Sequence, residues 1–349
     1  MLPYDGTTAP VALIFFNRPG PLARTFATIR DAQPRELFLI QDGPRSGNQA
    51  DERKVRECRE IVSAIDWECT VHRDFAEQNL GTGRRVASGL TLAFSTVDRL
   101  IILEDDCVPA QDFFPFCTEL LDRYKDDQRV GMITGMNHLG AYDGTSFDYL
   151  FSRVGSIAGW ATWKRTWTSV DQDLEFLDDP YAIRLIRDYL KRRKTGTGLL
   201  KRGEKLKARI EAGERLTSWS YPLGVGDILH SRLIIVPRVN LMSNIGVGPD
   251  GANTTDSLKK VPRASRFLYD LPLHEFHGHL KHPQYVTEDL SYNRQVDKLM
   301  GRTFWGGKGR KVESLVRRIM YGENPAPILR RWVRRLRANS PARRTGRKS

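Results

Sequence analysis

The sequence predicts an α/β protein with a mostly parallel central sheet and helices on both faces. Three observations carry this. Strand-like and helix-like segments alternate through the first half of the chain. The strand-like segments are near-continuous apolar runs, as expected where both faces of a sheet are covered. Three of these runs end in polar clusters: Asn17 with Arg18, Gln41 with Asp42, and Glu104 with Asp105 and Asp106.

Taken in order, "VALIFFN" from Val11 is a first buried strand. "GPLARTFATIRDAQP" follows as a helix, with Leu22, Phe26 and Ile29 on one face and Pro34 to stop it. "ELFLIQDGP" is the second strand, and "NQADERKVRECREIVSAI" an amphipathic helix. "CTVHRDF" is a third short strand, and "GTGRRVASGLTLAFSTV" a helix opened by glycines. "LIILEDD" is the fourth strand, with "DFFPFCTELLDRY" helical after it. From about Tyr149 the pattern changes to an aromatic, glycine-rich block, a basic helix-prone stretch with a glycine break, and a return to strand character in "RLIIVPRVNLMSNIG". A soft boundary near residue 145, inside one compact unit, separates a nucleotide-sugar-binding half (1–145) from an acceptor-binding half (146–300), with a basic tail at 301–349.

The chain has 349 residues, 40% of them hydrophobic and 28% charged, which suits a globular protein with a substantial core. No apolar run approaches the roughly 18 residues needed to span a bilayer. The N-terminal stretch lacks a basic region and a small-residue cleavage site and is not read as a signal peptide. Cys58, Cys69, Cys107 and Cys117 have no zinc or disulfide spacing. A cytoplasmic protein with reduced thiols is expected.

The net charge of +13 is localised. Residues 301–349 hold 15 Lys and Arg against Glu313 and Glu323, leaving 40 basic and 40 acidic residues in the rest. In that tail Val312, Leu315, Val316, Ile319 and Met320 share one helical face. Ile328, Leu329, Trp332, Val333 and Leu336 share another, with arginines opposite. Basic amphipathic helices of this kind read as binders of an anionic membrane surface, so a peripheral position at the inner membrane is expected. A solvated charged terminus is the alternative. The tail lacks the aromatic interleaving of a nucleic-acid binder.

Carboxylates avoid the interior unless paired or metal-bound, and open α/β sheets bind ligands at the carboxyl ends of their strands. The acidic triplet therefore reads either as a solvated loop or as a metal and phosphate site. For a nucleoside diphosphate carrying a transferable group, Asp106 is placed to hold a divalent cation. Glu104 and Asp105 would face sugar or ribose hydroxyls, Asp42 a base or ribose, and Arg18 a phosphate. Asp42, Gly43 and Pro44 also make a good turn. "NLGTGRR", with Asn79 and Gly81, can approach an anion at a helix start. No G-x-G-x-x-G follows the first strand and no P-loop occurs, which excludes the usual dehydrogenase and nucleotidase signatures.

The order "FFNRP", "QDGP", "NLG", "IILEDDCVPAQDFFPF", "FSRVGSIAGWATWKRTW" and "VNLMSNIG" resembles bacterial GT-A-fold glycosyltransferases related to N-acetylglucosaminyltransferase I, including members labelled hemolysin-associated. The resemblance runs from about Val11 to Gly248. It implies the Rossmann-like GT-A fold and transfer of a sugar from a nucleotide-sugar donor, UDP-linked by analogy, to a glycan or lipid-linked acceptor. It implies Mn2+ or Mg2+ on Asp106, uracil contact by Asp42 and diphosphate contact by Arg18. Asn17, Asn79, Gly81, Glu104 and Asp105 complete the donor site. Gly159, Trp160, Trp163 and Trp219 are expected beside the acceptor, although Trp163 and Trp167 also suit a core.

The chain departs from the family at the catalytic base. Ser220 follows Trp219 where relatives carry Asp, which leaves Asp227, Asp171 or Asp173 as substitutes. Thr254 stands where a His is usual, and His274, His277 and His279 are alternative metal ligands or surface residues. An inverting, metal-dependent transferase is thus the first reading. A nucleotide-sugar-binding protein with degenerate catalysis is the second. A sugar nucleotidyltransferase ranks last, because its Arg-containing glycine-rich loop is missing.

Overall fold

The computed structural model describes residues 8–192, 198–214, 218–247, 261 and 263–300. Its architecture follows from how the apolar runs pleat. In β1 (Val11–Phe15), Val11, Leu13 and Phe15 enter one core while Ala12 and Ile14 enter another on the opposite face. The same split divides β2 (Glu36–Gln41): Leu37 and Leu39 go one way, Phe38 and Ile40 the other. Burying both faces is why these strands lack an apolar–polar alternation.

Between the strands, α1 (Pro19–Ala32) begins with Pro19 in the first turn and buries Leu22, Phe26 and Ile29. α2 (Gln49–Ser63) is capped by the Asn48 side chain, which accepts from the Asp51 N–H at 3.1 Å. β3 (Thr70–Phe75), α3 (Thr82–Thr96) and β4 (Arg99–Glu104) complete a parallel β3-β2-β1-β4 array. The Rossmann-like mixed α/β fold with a mostly parallel sheet and flanking helices is thereby established.

The second half extends the same sheet. After the short β5 (Cys107–Pro109) and α4 (Phe113–Arg123) come β6 (Val130–Thr134), β7 (Tyr149–Ser152) and β8 (Trp160–Trp163). α5 (Lys164–Trp167), α6 (Pro180–Arg192), α7 (Gly198–Glu211) and α8 (Ser220–Leu229) precede β9 (Leu233–Pro237) and β10 (Met242–Asn244). α9 (Arg263–Arg266) and α10 (Leu290–Leu299) follow. The eight-stranded order is β3-β2-β1-β4-β8-β6-β9-β7. β8 runs antiparallel between β4 and β6, with Ala161 opposite both Ile101 and Ile133. Strands from either side of residue 145 therefore interleave. α6, α7 and α8 close a third small core around Leu174, Ile186, Leu206 and Val225.

Two features bear on the site. β10 pairs antiparallel with β5, setting Asn244 opposite Cys107 and tying residues 242–246 over the end of β4. The "GWATW" block, expected to face an acceptor, is instead strand β8 in mid-sheet. Trp160 is 0% exposed and stacks on Trp219 at 5.6 Å, and Trp163 donates from Nε1 to the Leu121 carbonyl. These three tryptophans are core residues, Trp160 and Trp163 because β8 is covered on both faces and Trp219 because it packs on Trp160, and their expected acceptor role is corrected. The Trp167 ring is likewise buried, against Phe94. Among the described residues no helix is long and apolar enough to cross a membrane. Thr254 and the tail at 301–349, with its expected helices, lie outside the described residues.

Candidate functional site

The carboxyl ends of β1, β2 and β4 open on one cavity of about 480 Å³. It brings together Asn17, Arg18, Asp42, Asn79 and Gly81 with the triplet Glu104, Asp105 and Asp106. Eight residues read from three separate strand ends and one loop thus share a single pocket.

The triplet is not turned out into water. Asp105 is 3% exposed and is gripped by Arg18, whose Nε donates to Oδ2 at 3.2 Å while Nη2 meets Oδ1. Arg18 Nη2 also lies 2.9 Å from Asp106 Oδ2. Burial works against charge on Arg18, but Asp105 and Asp106 outweigh it and hold the guanidinium protonated. Burial, with the repulsion of Asp106 and Asp105, pushes Glu104 up to about 8. Burial also pushes Asp105 up to about 6, against the pull of Arg18. One guanidinium therefore faces three acids. The Glu104 carboxyl accepts no hydrogen bond among the described residues and opens on the cavity.

Asp106 lies at the rim made by β10. Its Oδ1 accepts from Asn244 Nδ2 at 3.3 Å. A Cβ at Gly246 would come within 2.3 Å of its Oδ2, the oxygen that also meets Arg18, so only glycine leaves room beside it. Among the described residues no group of three or more His, Cys, Asp or Glu side chains is arranged to hold a metal ion. His274, His277 and His279 are exposed.

Asp42 has a different task from the one expected. Oδ1 accepts from the N–H groups of Gly43 and Leu80 at 3.0 and 2.8 Å. Oδ2 accepts from Asn79 Nδ2 and the Gly81 N–H, both at 3.0 Å. A carboxylate offers about four acceptor positions, and the loop fills them. Asp42 therefore moulds the cavity wall by fixing residues 79–81, and direct contact with a base is corrected to an indirect role. The loop packs so closely that a Cβ at Gly43 would lie 2.5–2.7 Å from the Gln78 backbone. Gly43→Ala is expected to cost about 1–3 kcal/mol of stability by overpacking, read as a lowered urea midpoint with an unchanged slope.

Sequence reading missed Arg45, Asp51 and Arg85. Asp51 is 2% exposed; its Oδ1 accepts from Asn17 Nδ2 at 2.8 Å and Arg45 Nη2 at 2.7 Å. The Arg45 guanidinium holds the Asp51 carboxyl below the usual carboxylate range. Arg85 donates to the Gln41 carbonyl at 3.1 Å and pairs with Asp74 at 2.6 Å. The only sequence signal for Asp51 was its position three residues after Asn48, which marks a helix start and not a site.

Ser220 and Asp227 line a second cavity of about 930 Å³, which shares Ser156, Ile157 and Leu268 with the first. Seven residues apart on α8, they lie on one face. Asp227 is 8% exposed, and its Oδ1 has no hydrogen-bond partner among the described residues. Burial pushes it up to about 7, although Arg232 and Arg153 oppose the shift. Asp171 is outside both cavities and accepts from the Phe176 N–H at 2.9 Å, so it is a loop brace and not a base. Asp173 is exposed and lines neither cavity. Gly159 has φ +63°, and a Cβ there would strike Met242. It shapes the turn into β8 and lines neither cavity.

No family model matches the chain, and no curated protein matches it. Among solved structures it is similar to HddC from Yersinia pseudotuberculosis, with 10% identity and a TM-score of 0.28 over 45% of this chain and 78% of that one. At that level the likeness carries no weight for function.

Proposed function

We propose that this protein is a metal-dependent glycosyltransferase that moves a sugar, with inversion, from a UDP-linked donor to a glycan or lipid-linked acceptor. The observation that carries the reading is the gathering of Arg18, Glu104, Asp105 and Asp106 in one cavity at the carboxyl edge of a Rossmann-like sheet. In this reading residues 1–145 hold the donor, 146–300 receive the acceptor, and 301–349 bind an anionic membrane surface from the cytoplasm.

A divalent cation fits the residues present. The triplet carries more negative charge than Arg18 cancels, the Glu104 carboxyl accepts no hydrogen bond among the described residues, and the space beside Asp106 is kept by Gly246. Asp106 would hold the cation with help from Glu104, the oxygen ligands that Mg2+-type sites combine with substrate phosphates. When bound, Mn2+ or Mg2+ supplies positive charge to the departing diphosphate. Arg18 adds a second positive group at the same wall. Asp227 takes the proton of the acceptor hydroxyl. The freed oxygen attacks the anomeric carbon, and the bond to the diphosphate breaks with its electron pair.

UDP binding measured by calorimetry tests the reading. Wild-type protein is expected to bind UDP in Mn2+ and weakly in EDTA. Asp106→Ala is expected to lose on the order of tenfold in Mn2+ and little in EDTA. Equal affinity of the two proteins in Mn2+ would remove the metal role.

A second reading rests on Ser220. Its hydroxyl cannot accept the proton unaided at neutral pH, and Asp227 turns Oδ1 toward Gly131. A donor-binding protein without transfer fits these two facts. UDP binding with no UDP release from donors over a broad acceptor panel would favour it.

A further inference from the structure

We propose that the second cavity is the acceptor site, and that it takes an amphiphile carrying a phosphate-type anion beside an apolar chain. The word acceptor rests on the transferase reading above; the ligand class rests on the cavity itself.

Three guanidinium groups, Arg153, Arg202 and Arg232, line the cavity against the single carboxylate of Asp227. Each has mostly neutral partners. Arg232, 6% exposed, donates from Nη1 to Ser169 Oγ at 2.7 Å. Arg202 donates to Ser218 Oγ at 2.9 Å. Arg153 donates to the Arg232 carbonyl at 3.3 Å, with Glu288 3.8 Å from its Nε. Among the described residues no ion pair joins Asp227 to either arginine near it. Of the three, Arg232 is a buried cation with a neutral partner, which favours an anion; Arg153 is half-buried and Arg202 exposed on the same wall, and guanidinium groups match phosphate oxygens in particular.

Beside His138, Ser156 and Ser220, much of the remaining wall is apolar, with Leu190, Leu199, Leu223, Ile228, Leu268 and Met300. Tyr189 is the single Phe, Tyr or Trp ring in the lining among the described residues. A neutral glycan is poorly served by this surface, whereas an alkyl or prenyl chain is well served.

The surroundings agree. α6 carries four basic residues against one acid, and α7 five against two. α6 also exposes Tyr181 (58%) and Leu185 (42%). Both helices contribute to the cavity, through Tyr189 and Leu190 and through Leu199 and Arg202. A basic surface with exposed apolar side chains, on a helix that also lines the cavity, suits a phosphate ligand presented from a lipid layer.

Binding constants for dodecyl phosphate, inorganic phosphate and dodecyl maltoside, all below micellar concentration, test this on the full chain. Dodecyl phosphate is expected to bind at least about tenfold tighter than either control. Gly224→Leu projects into the cavity from α8, where an added Cβ meets nothing within 4 Å, so the fold is preserved. Gly224→Leu and Arg202→Glu are each expected to weaken dodecyl phosphate by about tenfold or more, with UDP affinity in Mn2+ unchanged. Binding of inorganic phosphate as tight as dodecyl phosphate would remove the apolar chain. Equal binding of the maltoside would remove the anion. Wild-type affinity in both variants would place the ligand elsewhere and overturn the proposal. Loss of UDP binding alone, with dodecyl phosphate still held, would sink the donor reading and leave the ligand class intact.

Discussion

Arg18→Met is expected to destabilise the metal-free protein by about 3–5 kcal/mol, the usual cost of stranding a buried charge by removing its partner. Asp105 is almost fully buried, and Arg18 is its main counter-charge as well as a neighbour of Asp106. Without the guanidinium, three adjacent acids face one another in a desolvated pocket. The acids then take up protons more readily, so the deficit should be largest near pH 8 and smallest near pH 5. Urea unfolding in EDTA at the two pH values measures it. Adding Asp105→Asn should recover part of the loss at pH 8. An Arg18→Met protein as stable as wild type at pH 8 would mean that the ion pair does not hold β1 to the end of β4.

Asp227→Asn carries the second large effect, in two readouts. The Asp227 carboxyl stands at about 7 in the fold, against 3.8 as its ordinary value. A raised carboxylate adds stability that is complete below about pH 4 and is lost as pH rises toward 7. The span is a few kcal/mol, to order of magnitude. The difference between wild type and Asp227→Asn should therefore change across that window and level off above it. In the proposed role of general base, Asp227 should also contribute about 10²–10⁴-fold to turnover, so UDP release from a turning-over donor should fall by that factor. Parallel pH–stability curves would show that the side chain is solvated. Unchanged turnover would return the base to another residue.

The sequence made the first cavity legible because its parts sit at strand ends, where a periodicity break is visible in one dimension. Arg18, Asp42 and the triplet were singled out that way, and they line one cavity. What stayed hidden depends on contacts between distant segments. Asp51 reads as an ordinary first-turn acid and joins the site only because Asn17 and Arg45 converge on it. Asn244 and Gly246 reach Asp106 through β10, over a hundred residues downstream. The tryptophans misled for a related reason. A ring suited to sugar stacking is equally suited to a core, and only the insertion of β8 between β4 and β6 decides between them. The saturation of Asp42 by its own neighbouring loop was invisible as well, since a turn and a ligand contact ask for the same residue types.

That inserted strand has a consequence for biosynthesis. Val130–Thr134 leaves the ribosome well before Trp160–Trp163 does, yet the later strand must lie between the earlier one and Arg99–Glu104. The nascent chain therefore has to keep a slot free beside the largely apolar edge of Arg99–Glu104 until the tryptophan segment emerges. Premature pairing of the two flanking strands is the misassembly this topology must avoid, and a nascent-chain chaperone would have its natural task there.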